Sequence, residues 1–525
     1  LVLLVQEIKN VKGGNADAPF AEGDEGSGNA GEGSDLLLRN LATGKELKFK
    51  NIADYYFNEK GNVLLLKTSK APRDSASANA VVLFNLATEK ADTILKGGND
   101  FKGFTLTEDG AKIAFVAERD TVKKALTKYY GLYMYQSGYD SARLLIDKGT
   151  TGMSLGATVS ENGNLSFSKS GNRLMFGTTD LPIAKDTSLI EIDQVKLDIW
   201  HYNDDYLQTQ QLANLQRDLR RSYLAVYDFS ANSLQQIGSE ALPQVMPLNE
   251  GDGDFFIAIT DTGRRVAAQW AGQTPRDVYA VNPVTGARIL VKKNHEGQTY
   301  TSPGGKYIVL YDQKAKHYMV WNGKGLKNMT AAIKVPLYDE EHDTPSNPSP
   351  YGIMAWHAED SFVYVYDRYD VWKVDPTLKK APVRIVAGRA QKNVFRYLKV
   401  NPEERFISPD QTMYFRVQNM DTKVANIFFV TPSGKKARWL TPFRNYQYAF
   451  LAKAKDANAF IYTRENYQES PNLFFVKAEK DFETLTSEDI STVQLTNLNP
   501  QQEGYNWGTA ELFKWTASNG KGGTG

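Results

Sequence analysis

The sequence predicts an all-β fold, a β-propeller of seven to nine four-stranded blades with eight as the best estimate. Aromatic residues make up 12% of the 525-residue chain and stand in short runs bounded by Gly, Asp, Asn and Pro. Within these runs, apolar and polar residues alternate or β-branched residues predominate, and both patterns are typical of strands. In addition, one strand-turn-strand module recurs along the chain, whereas long helical periodicity is nearly absent.

The recurring module consists of an apolar strand, a tight polar turn, a strand of the type Ile-x-Phe, a loop and an aromatic hairpin. Its best copies are 104–115 with 131–135 and 165–176 with 223–227. Its turn residues are Gly61, Gly110, Gly171, Gly263, Gly305, Asp360, Gln411 and Ala457, separated by 49, 61, 92, 42, 55, 51 and 46 residues. Most gaps match one propeller blade of about 40–50 residues. Radial packing of such blades buries sheet faces that a single blade exposes.

The module spacing assigns residues 1–500 to the propeller. The segments 1–8 and 35–49 predict an incomplete first blade. The gap of 92 residues contains the polar stretch 203–221, which we expect to be a partly helical insertion within one blade, packed on the rim. Three leucines of this stretch share one helical face, namely Leu212, Leu215 and Leu219.

Charge and composition exclude several classes of function. Lys plus Arg number 62 and Asp plus Glu number 61, so the formal charge of +1 predicts no nucleic-acid partner. The chain contains no cysteine, which excludes disulfides, thiolate zinc sites and cysteine nucleophiles. The early apolar run 1–5 is far shorter than the about 20 residues that span a bilayer, so we expect no membrane span.

One serine stands in the pattern G-x-S-x-G, at Gly152-Met-Ser154-Leu-Gly156. In a serine hydrolase this pattern follows a buried strand and precedes a helix, so that the serine sits on a strained turn. Here the residues that follow are rich in turn formers and lead into another strand. We therefore interpret Ser154 as a serine of a loop between strands and expect no catalytic residue in this chain.

No metal site and no cofactor are expected. The five histidines, at positions 201, 295, 317, 342 and 357, show no H-x-x-x-H spacing. The tripeptide Asp252-Gly-Asp254 resembles the start of a calcium loop, but the further ligands of that loop are missing, which favours a hairpin turn. Glycine-rich phosphate-binding motifs are also missing from the sequence.

Two adjacent carboxylates, Glu340 and Glu341, stand in the acidic stretch 338–343. They could bind a cationic group such as a peptide N-terminus if their loop points into a cavity. The alternative is a solvated acidic loop without a ligand.

The end of the repeat carries the most specific pattern. Ser470-Pro-Asn-Leu473 and Leu495-Thr-Asn-Leu-Asn-Pro500 resemble the last propeller blade of the prolyl oligopeptidase family of serine peptidases, in which "SP-x-LY" and "LT-x-x-NP" precede the hydrolase domain. The segment 501–525, with Tyr505-Asn-Trp-Gly508, is similar to the crossover from propeller to α/β-hydrolase domain in that family. The resemblance covers essentially the whole chain.

The resemblance implies a propeller that caps a serine peptidase, admits short peptide substrates and excludes folded proteins. The Ser, Asp and His of the triad would lie in an α/β-hydrolase domain in cis, outside this sequence. A substrate-binding role for Glu340 and Glu341 is implied by the dipeptidyl-peptidase branch, although their flanking residues differ from its pattern. A periplasmic or secreted location is likewise implied only by the resemblance. The alternatives are a stand-alone periplasmic binding or scaffold propeller, for a protein, peptide or glycan, and an enzyme active within the propeller itself.

Overall fold

The regular secondary structure consists mainly of antiparallel strands, as seen in a computed structural model of the chain. The structure describes residues 3–8, 33–71, 78–122, 126–184, 188, 197–272, 274–431, 437–441, 446–478, 490–509, 511 and 513–524. The chain divides into two compact units, residues 1–294 and 295–525. Within the described ranges, no helix combines the length and apolar character that a membrane crossing requires.

The first unit begins with a six-stranded meander in which each strand pairs with the next one along the chain. Its strands are β1 (Leu3–Ile8), β2 (Ser34–Asn40), β3 (Glu46–Phe57), β4 (Val63–Thr68), β5 (Ala80–Asn85) and β6 (Lys90–Lys96). The segments expected to form an incomplete first blade therefore lie in one continuous sheet with the strands that follow. The reason is the length of β3, whose residues 46–52 pair with β2 and whose residues 52–57 pair with β4, with a register shift between Ile52 and Asp54.

The second sheet of this unit contains two meanders, β7–β10 and β12–β15, joined by β11. Its strands are β7 (Asp100–Leu106), β8 (Lys112–Glu118), β9 (Tyr130–Gln136), β10 (Arg143–Ile146), β11 (Ala157–Val159), β12 (Ser166–Phe167), β13 (Arg173–Asp180), β14 (Tyr223–Asp228) and β15 (Ser233–Gln236). A four-stranded meander follows, of β16 (Gln244–Met246), β17 (Phe256–Thr260), β18 (Arg276–Val281) and β19 (Arg288–His295).

The second unit continues the same construction. Two separate four-stranded meanders consist of β20 (Thr299–Thr301), β21 (Ile308–Asp312), β22 (His317–Trp321) and β23 (Leu326–Asn328), and of β24 (Ile353–Trp356), β25 (Val363–Tyr366), β26 (Val371–Val374) and β27 (Val383–Val386). A larger sheet contains β28 (Asn393–Leu398), β29 (Met413–Asn419), β30 (Ala425–Val430), β31 (Ala437–Trp439), β32 (Gln447–Lys453), β33 (Ala459–Glu465), β34 (Asn472–Ala478) and β35 (Ile490–Gln494). A hairpin of β36 (Lys514–Thr516) and β37 (Gly522–Thr524) follows.

Few helices interrupt the strands. The described residues contain α1 (Gln208–Leu219), α2 (Ala268–Ala271) and 3₁₀ turns at Asn249–Gly251, Arg265–Ala267, Ala358–Asp360, Arg389–Gln391 and Pro500–Gly504. Helix α1 lies in the stretch where the leucine spacing predicts a helix, yet it buries none of its residues. Its three leucines face solvent, with exposed fractions of 59%, 45% and 69% for Leu212, Leu215 and Leu219. They therefore do not pack on the sheets.

Buried side chains of successive sheets within each unit pack against one another. In the first unit, Leu65 and Val81 share a core with Phe101 and Phe115, and Val226 shares another with Phe256. In the second unit, the shared cores include Val309 with Val363, and Tyr364 with Phe415. Strands such as β17, buried at every residue, read as continuous apolar runs because both faces of their sheet are covered. This face-to-face packing buries the surfaces that separate blades would expose.

Polar turns tie neighbouring sheets together. Asp252 accepts hydrogen bonds from the backbone N–H of Ser170 at 2.8 Å and from its hydroxyl at 2.6 Å. In the second unit, Asp360 accepts from the Ser302 hydroxyl at 2.6 Å and from the N–H of Gly304 at 3.0 Å. The five glycines that mark the module turns, Gly61, Gly110, Gly171, Gly263 and Gly305, all have φ between 63° and 81°. Such positive φ values are adopted far more readily by glycine than by other residues, which explains why glycine stands at these turns.

The predicted all-β fold of antiparallel four-stranded sheets in propeller style is confirmed. The number of blades stays a prediction.

Candidate functional site

Glu340 and Glu341 lie in an anchored loop between β23 and β24. The base of the loop is closed by a bridge between Tyr338 and Pro350 and by a hydrogen bond from the N–H of Asp339 to the carbonyl oxygen of Ser349. The backbone N–H of Glu340 donates to the Tyr351 hydroxyl at 2.9 Å. The loop is therefore held in place at the backbone of the acidic pair, which a loosely solvated loop would not require.

Each of the two carboxylates contacts an arginine from a different part of the sheet that follows. The two carboxylate oxygens of Glu340 accept hydrogen bonds from Nη1 and Nη2 of Arg389, at 3.1 and 3.2 Å. Glu341 accepts from Nη2 of Arg368. The Glu340 side chain is 22% exposed, whereas that of Glu341 is 67% exposed. The bidentate pair neutralises Glu340, and Glu341 keeps the more accessible carboxylate of the two.

Behind these pairs lie two buried carboxylates of the β25–β26 turn, Asp367 and Asp370, exposed by 0% and 1%. Asp367 accepts from Nε1 of Trp372 at 2.8 Å and from Nη2 of Arg389 at 3.2 Å. Asp370 accepts from the backbone N–H of Gly388 at 2.6 Å. Arg389 thus bridges the outer Glu340 and the inner Asp367, so the turn and the loop form one charged network.

The network perturbs the ionisation of its members. Burial raises the pKa of Asp370, and the charge of Asp367 acts in the same direction, although the Gly388 N–H opposes the shift. Burial works against the charged form of Arg389, but the hydrogen bond to Glu340 and the charge of Asp367 raise its pKa. The guanidinium of Arg389 therefore stays charged, whereas the carboxyl group of Asp370 binds a proton at a higher pH than an ordinary aspartate does.

Sequence reasoning identified the acidic pair but not its arginine partners. Arg368 is 27 residues from Glu341, and Arg389 is 49 residues from Glu340. The available signal was the alternation of acidic, basic and aromatic residues from 364 to 372, which indicates paired charges in a sheet.

Other residues singled out in the sequence lie apart from this network. Ser154 is exposed in the loop between β10 and β11, and the next element is a three-residue strand rather than a helix. His357 is buried and its Nδ1 lies 2.9 Å from the Ser361 hydroxyl, where burial and the charge of Lys373 lower its pKa. His342 contacts Thr344 and Ser346 within its own loop. In the part of the chain that the structure describes, no group of His, Asp and Glu is arranged to hold a metal ion.

The two halves of the motif at the end of the repeat form one polar clamp. Asn472, which is 3% exposed, accepts through Oδ1 from the Thr496 hydroxyl at 3.2 Å and from the N–H of Leu498 at 2.8 Å. The Asn499 side chain donates to the Ser470 hydroxyl at 3.0 Å. The spacing of the motif therefore has a physical reason, because these side chains fasten the chain after β35 to the turn before β34.

No protein-family model and no curated protein sequence matches the chain. Solved structures that match it include prolyl oligopeptidase family peptidases and their β-propeller domains. Dipeptidyl peptidase 4 of Porphyromonas gingivalis is 12% identical with a TM-score of 0.38, over 95% of this chain and 62% of that chain. The β-propeller domain of the Trilobed protease from Pyrococcus furiosus is 12% identical with a TM-score of 0.28, over 75% of this chain and 96% of that one.

Prolyl oligopeptidase B from Galerina marginata is 13% identical with a TM-score of 0.30, over 81% of this chain and 55% of that one. The chain thus spans less than two thirds of the length of the dipeptidyl peptidase and of the prolyl oligopeptidase. Likenesses at these identities and TM-scores assign no function to the chain.

Proposed function

We propose that this chain is the non-catalytic propeller region of a prolyl-oligopeptidase-like serine peptidase, and that it limits access to short peptides. The observation that carries the proposal is the clamp around Asn472, which joins Ser470-Pro-Asn-Leu473 to Leu495-Thr-Asn-Leu-Asn-Pro500. These are the residues that resemble the last blade of that family. The consecutive four-stranded sheets support the same proposal.

The proposed domain limits follow from the clamp. Residues 1–500 form the propeller, with the insertion near 203–221, and residues 501–525 form the crossover toward an α/β-hydrolase domain in cis. In support, the chain leaves the clamp through the 3₁₀ turn Pro500–Gly504. Nucleophile, acid and base of the reaction would come from the hydrolase domain, and the periplasmic or secreted location rests on the family resemblance.

Within this role, Glu340 and Glu341 bind the ammonium group of a peptide N-terminus. Glu341 makes the first contact, because its side chain is 67% exposed and only its Oε1 has a polar partner among the described residues. Glu340 fixes the position of the loop through its two hydrogen bonds with Arg389, and in this way it positions Glu341 for the ammonium group. Because the Glu341 side chain is exposed, its ion pair with an ammonium group contributes about 1 kcal/mol at most.

The test uses a hexapeptide, Ala-Pro-Gly-Ser-Gly-Ala, labelled at its C-terminus and measured by fluorescence anisotropy with a free or an acetylated N-terminus. We expect Glu341→Gln to weaken binding of the free peptide by up to about fivefold, since about 1 kcal/mol at an exposed ion pair corresponds to that factor. Asp343→Asn removes a nearby exposed carboxylate of the same loop and serves as the matched control. Equal affinity for both peptides in the wild type would refute the N-terminus site.

A further inference from the structure

A separate polar groove lies at one end of the sheet β28–β35, outside the Glu340 and Glu341 network. It has a volume of about 660 Å³ and lies between Tyr446, the β33–β34 turn and the chain that follows β35. Pockets for small ligands have volumes of about 300–1,000 Å³. Its lining residues are Asn466, Gln468, Glu469, Asn472, Gln494 and Thr496, together with Tyr446, Leu495, Asn497 and Glu503.

The groove is built on a rigid floor. The Oδ1 atom of Asn472 is engaged by Thr496 and Leu498, and this fixes the orientation of the whole amide. The Nδ2 atom of the same side chain has no hydrogen-bond partner among the described residues, although Asn472 is 3% exposed and lines the groove. This amide group faces the groove, where water or a ligand can accept a hydrogen bond from it.

Other side-chain amides around this floor also have donors or acceptors that no described protein group uses. Asn466 uses its Oδ1 to accept from the N–H groups of Gln468 and Glu469, at 2.9 and 2.8 Å. Gln494 donates from Nε2 to the carbonyl oxygen of Thr496 at 2.8 Å. The side chains of Gln468 and Asn497 are exposed and have no polar partner in the described residues. A primary amide offers two donors and an acceptor, so the groove presents both kinds of group.

The charges of the lining disfavour an anionic ligand. No Lys or Arg lines the groove, while Glu469 and Glu503 do. Glu469 is bound by Nη2 of Arg464 at 2.6 Å, and the Arg464 guanidinium lies 4.6 Å from the centre of the Tyr446 ring. The charge of this arginine is therefore paired, although its buried Nε has no hydrogen-bond partner among the described residues. Glu503 remains as an exposed carboxylate acceptor.

The apolar part of the lining is small. Leu495 and the ring of Tyr446 are its apolar members among ten lining residues. An extended peptide gains specificity from pockets for its alternate side chains, which this groove lacks. Sugar hydroxyls, in contrast, are each a donor and an acceptor, and they match amides and carboxylates of this kind.

We propose that this groove binds a neutral oligosaccharide, with Asn472, Gln468 and Asn497 as hydrogen-bonding residues. The proposal is independent of the peptidase role, because it uses neither Glu341 nor a hydrolase domain. Asn472 and Thr496 belong to both the clamp and the groove. These polar residues therefore hold the chain after β35 in place and also line the bottom of the groove.

The test measures binding of cellohexaose, maltohexaose, xylohexaose and mannohexaose to the full chain by saturation-transfer NMR and calorimetry. We expect at least one of these neutral sugars to bind. We also expect Gln468→Ala combined with Asn497→Ala to weaken that binding about tenfold or more, since each lost hydrogen bond weakens it about threefold to tenfold. Both residues are exposed, so the variant should fold.

The matched control is Gln501→Ala, which removes an exposed amide just outside the groove and should leave affinity unchanged. Three results would overturn the proposal: no binding of any of the four sugars at 5 mM, binding that the double variant leaves unchanged, or displacement of the sugar by equimolar hexaglycine. Tighter binding of an oligogalacturonate than of every neutral sugar would also overturn it, because the groove carries no cation to receive that charge.

Discussion

Replacing Asp360 should destabilise the second unit more than any exposed acid of the same unit does. Asp360 is 1% exposed. Its carboxylate accepts hydrogen bonds from the Ser302 hydroxyl, from the Gly304 N–H and, with a distance of 3.3 Å, from the Lys306 N–H. The Lys306 N–H also donates to the Ser302 hydroxyl oxygen at 3.0 Å, so Asp360→Ala leaves two donors without an acceptor rather than three.

The magnitude follows from these bonds. A hydrogen bond to a charged group contributes about 1.5–3 kcal/mol, so the loss of two predicts a decrease of about 3–6 kcal/mol in the free energy of unfolding. Asp360 also has a φ of 57°, a conformation that Asp and Asn tolerate better than Ala does. Asp360→Asn keeps that tolerance and one acceptor oxygen, so it should cost less than Asp360→Ala.

The assay is urea unfolding followed by tryptophan fluorescence, to which Trp356 in the adjacent strand β24 contributes. Asp343→Ala is the control, because Asp343 is an exposed loop residue of the same unit, and it should change stability by less than about 0.5 kcal/mol. If Asp360→Ala were no more destabilising than Asp343→Ala, the turn would not hold the neighbouring sheets together and the reasoning would fail.

Two further predictions concern acid sensitivity and a close backbone contact. Burial opposes ionisation of Asp228, but hydrogen bonds from the Ala231 N–H and from Arg173 outweigh it and lower the pKa. Its stabilisation is therefore present above the usual aspartate pKa of about 4 and lost as pH falls through the lower folded value. Asp228→Asn should therefore destabilise the protein more at pH 7 than at pH 3, measured by urea unfolding; equal effects at the two pH values would contradict this. Gly388→Ala would place Cβ 2.0 Å from the carbonyl oxygen of Asn393, which predicts a cost of about 1–3 kcal/mol in thermal unfolding, whereas Gly504→Ala meets nothing within 4 Å.

The strands were largely predictable because their signal is local. The module copies 104–115 and 165–176 each predicted an Ile-x-Phe type strand at their end, and the structure has Lys112–Glu118 and Arg173–Asp180 there. The leucine period also marked the position of α1, but the same period does not tell whether a helical face meets a core. In this chain Leu219 is 69% exposed, so its face has no partner among the described residues.

The candidate sites were less predictable because they depend on distant parts of the chain. Glu340 and Glu341 stand out in the sequence as neighbours, but their arginines come from a hairpin turn and a connection after β27. The clamp shows the same limit, since Asn472 and Thr496 are 24 residues apart. Local spacing names such residues, whereas strand pairing decides which of them meet.

The central claim is that this chain gates a serine peptidase without catalysing the reaction itself. The most direct test is labelling with a fluorophosphonate, together with hydrolysis of short peptides. It compares this chain, its Ser154→Ala variant and the native polypeptide expressed with any residues that follow position 525. We predict labelling and hydrolysis by the extended polypeptide alone. If this chain alone were labelled or hydrolysed peptides, and Ser154→Ala abolished that reaction, the claim would be contradicted. If none of the three proteins were labelled or active, a binding or scaffold propeller would be favoured instead.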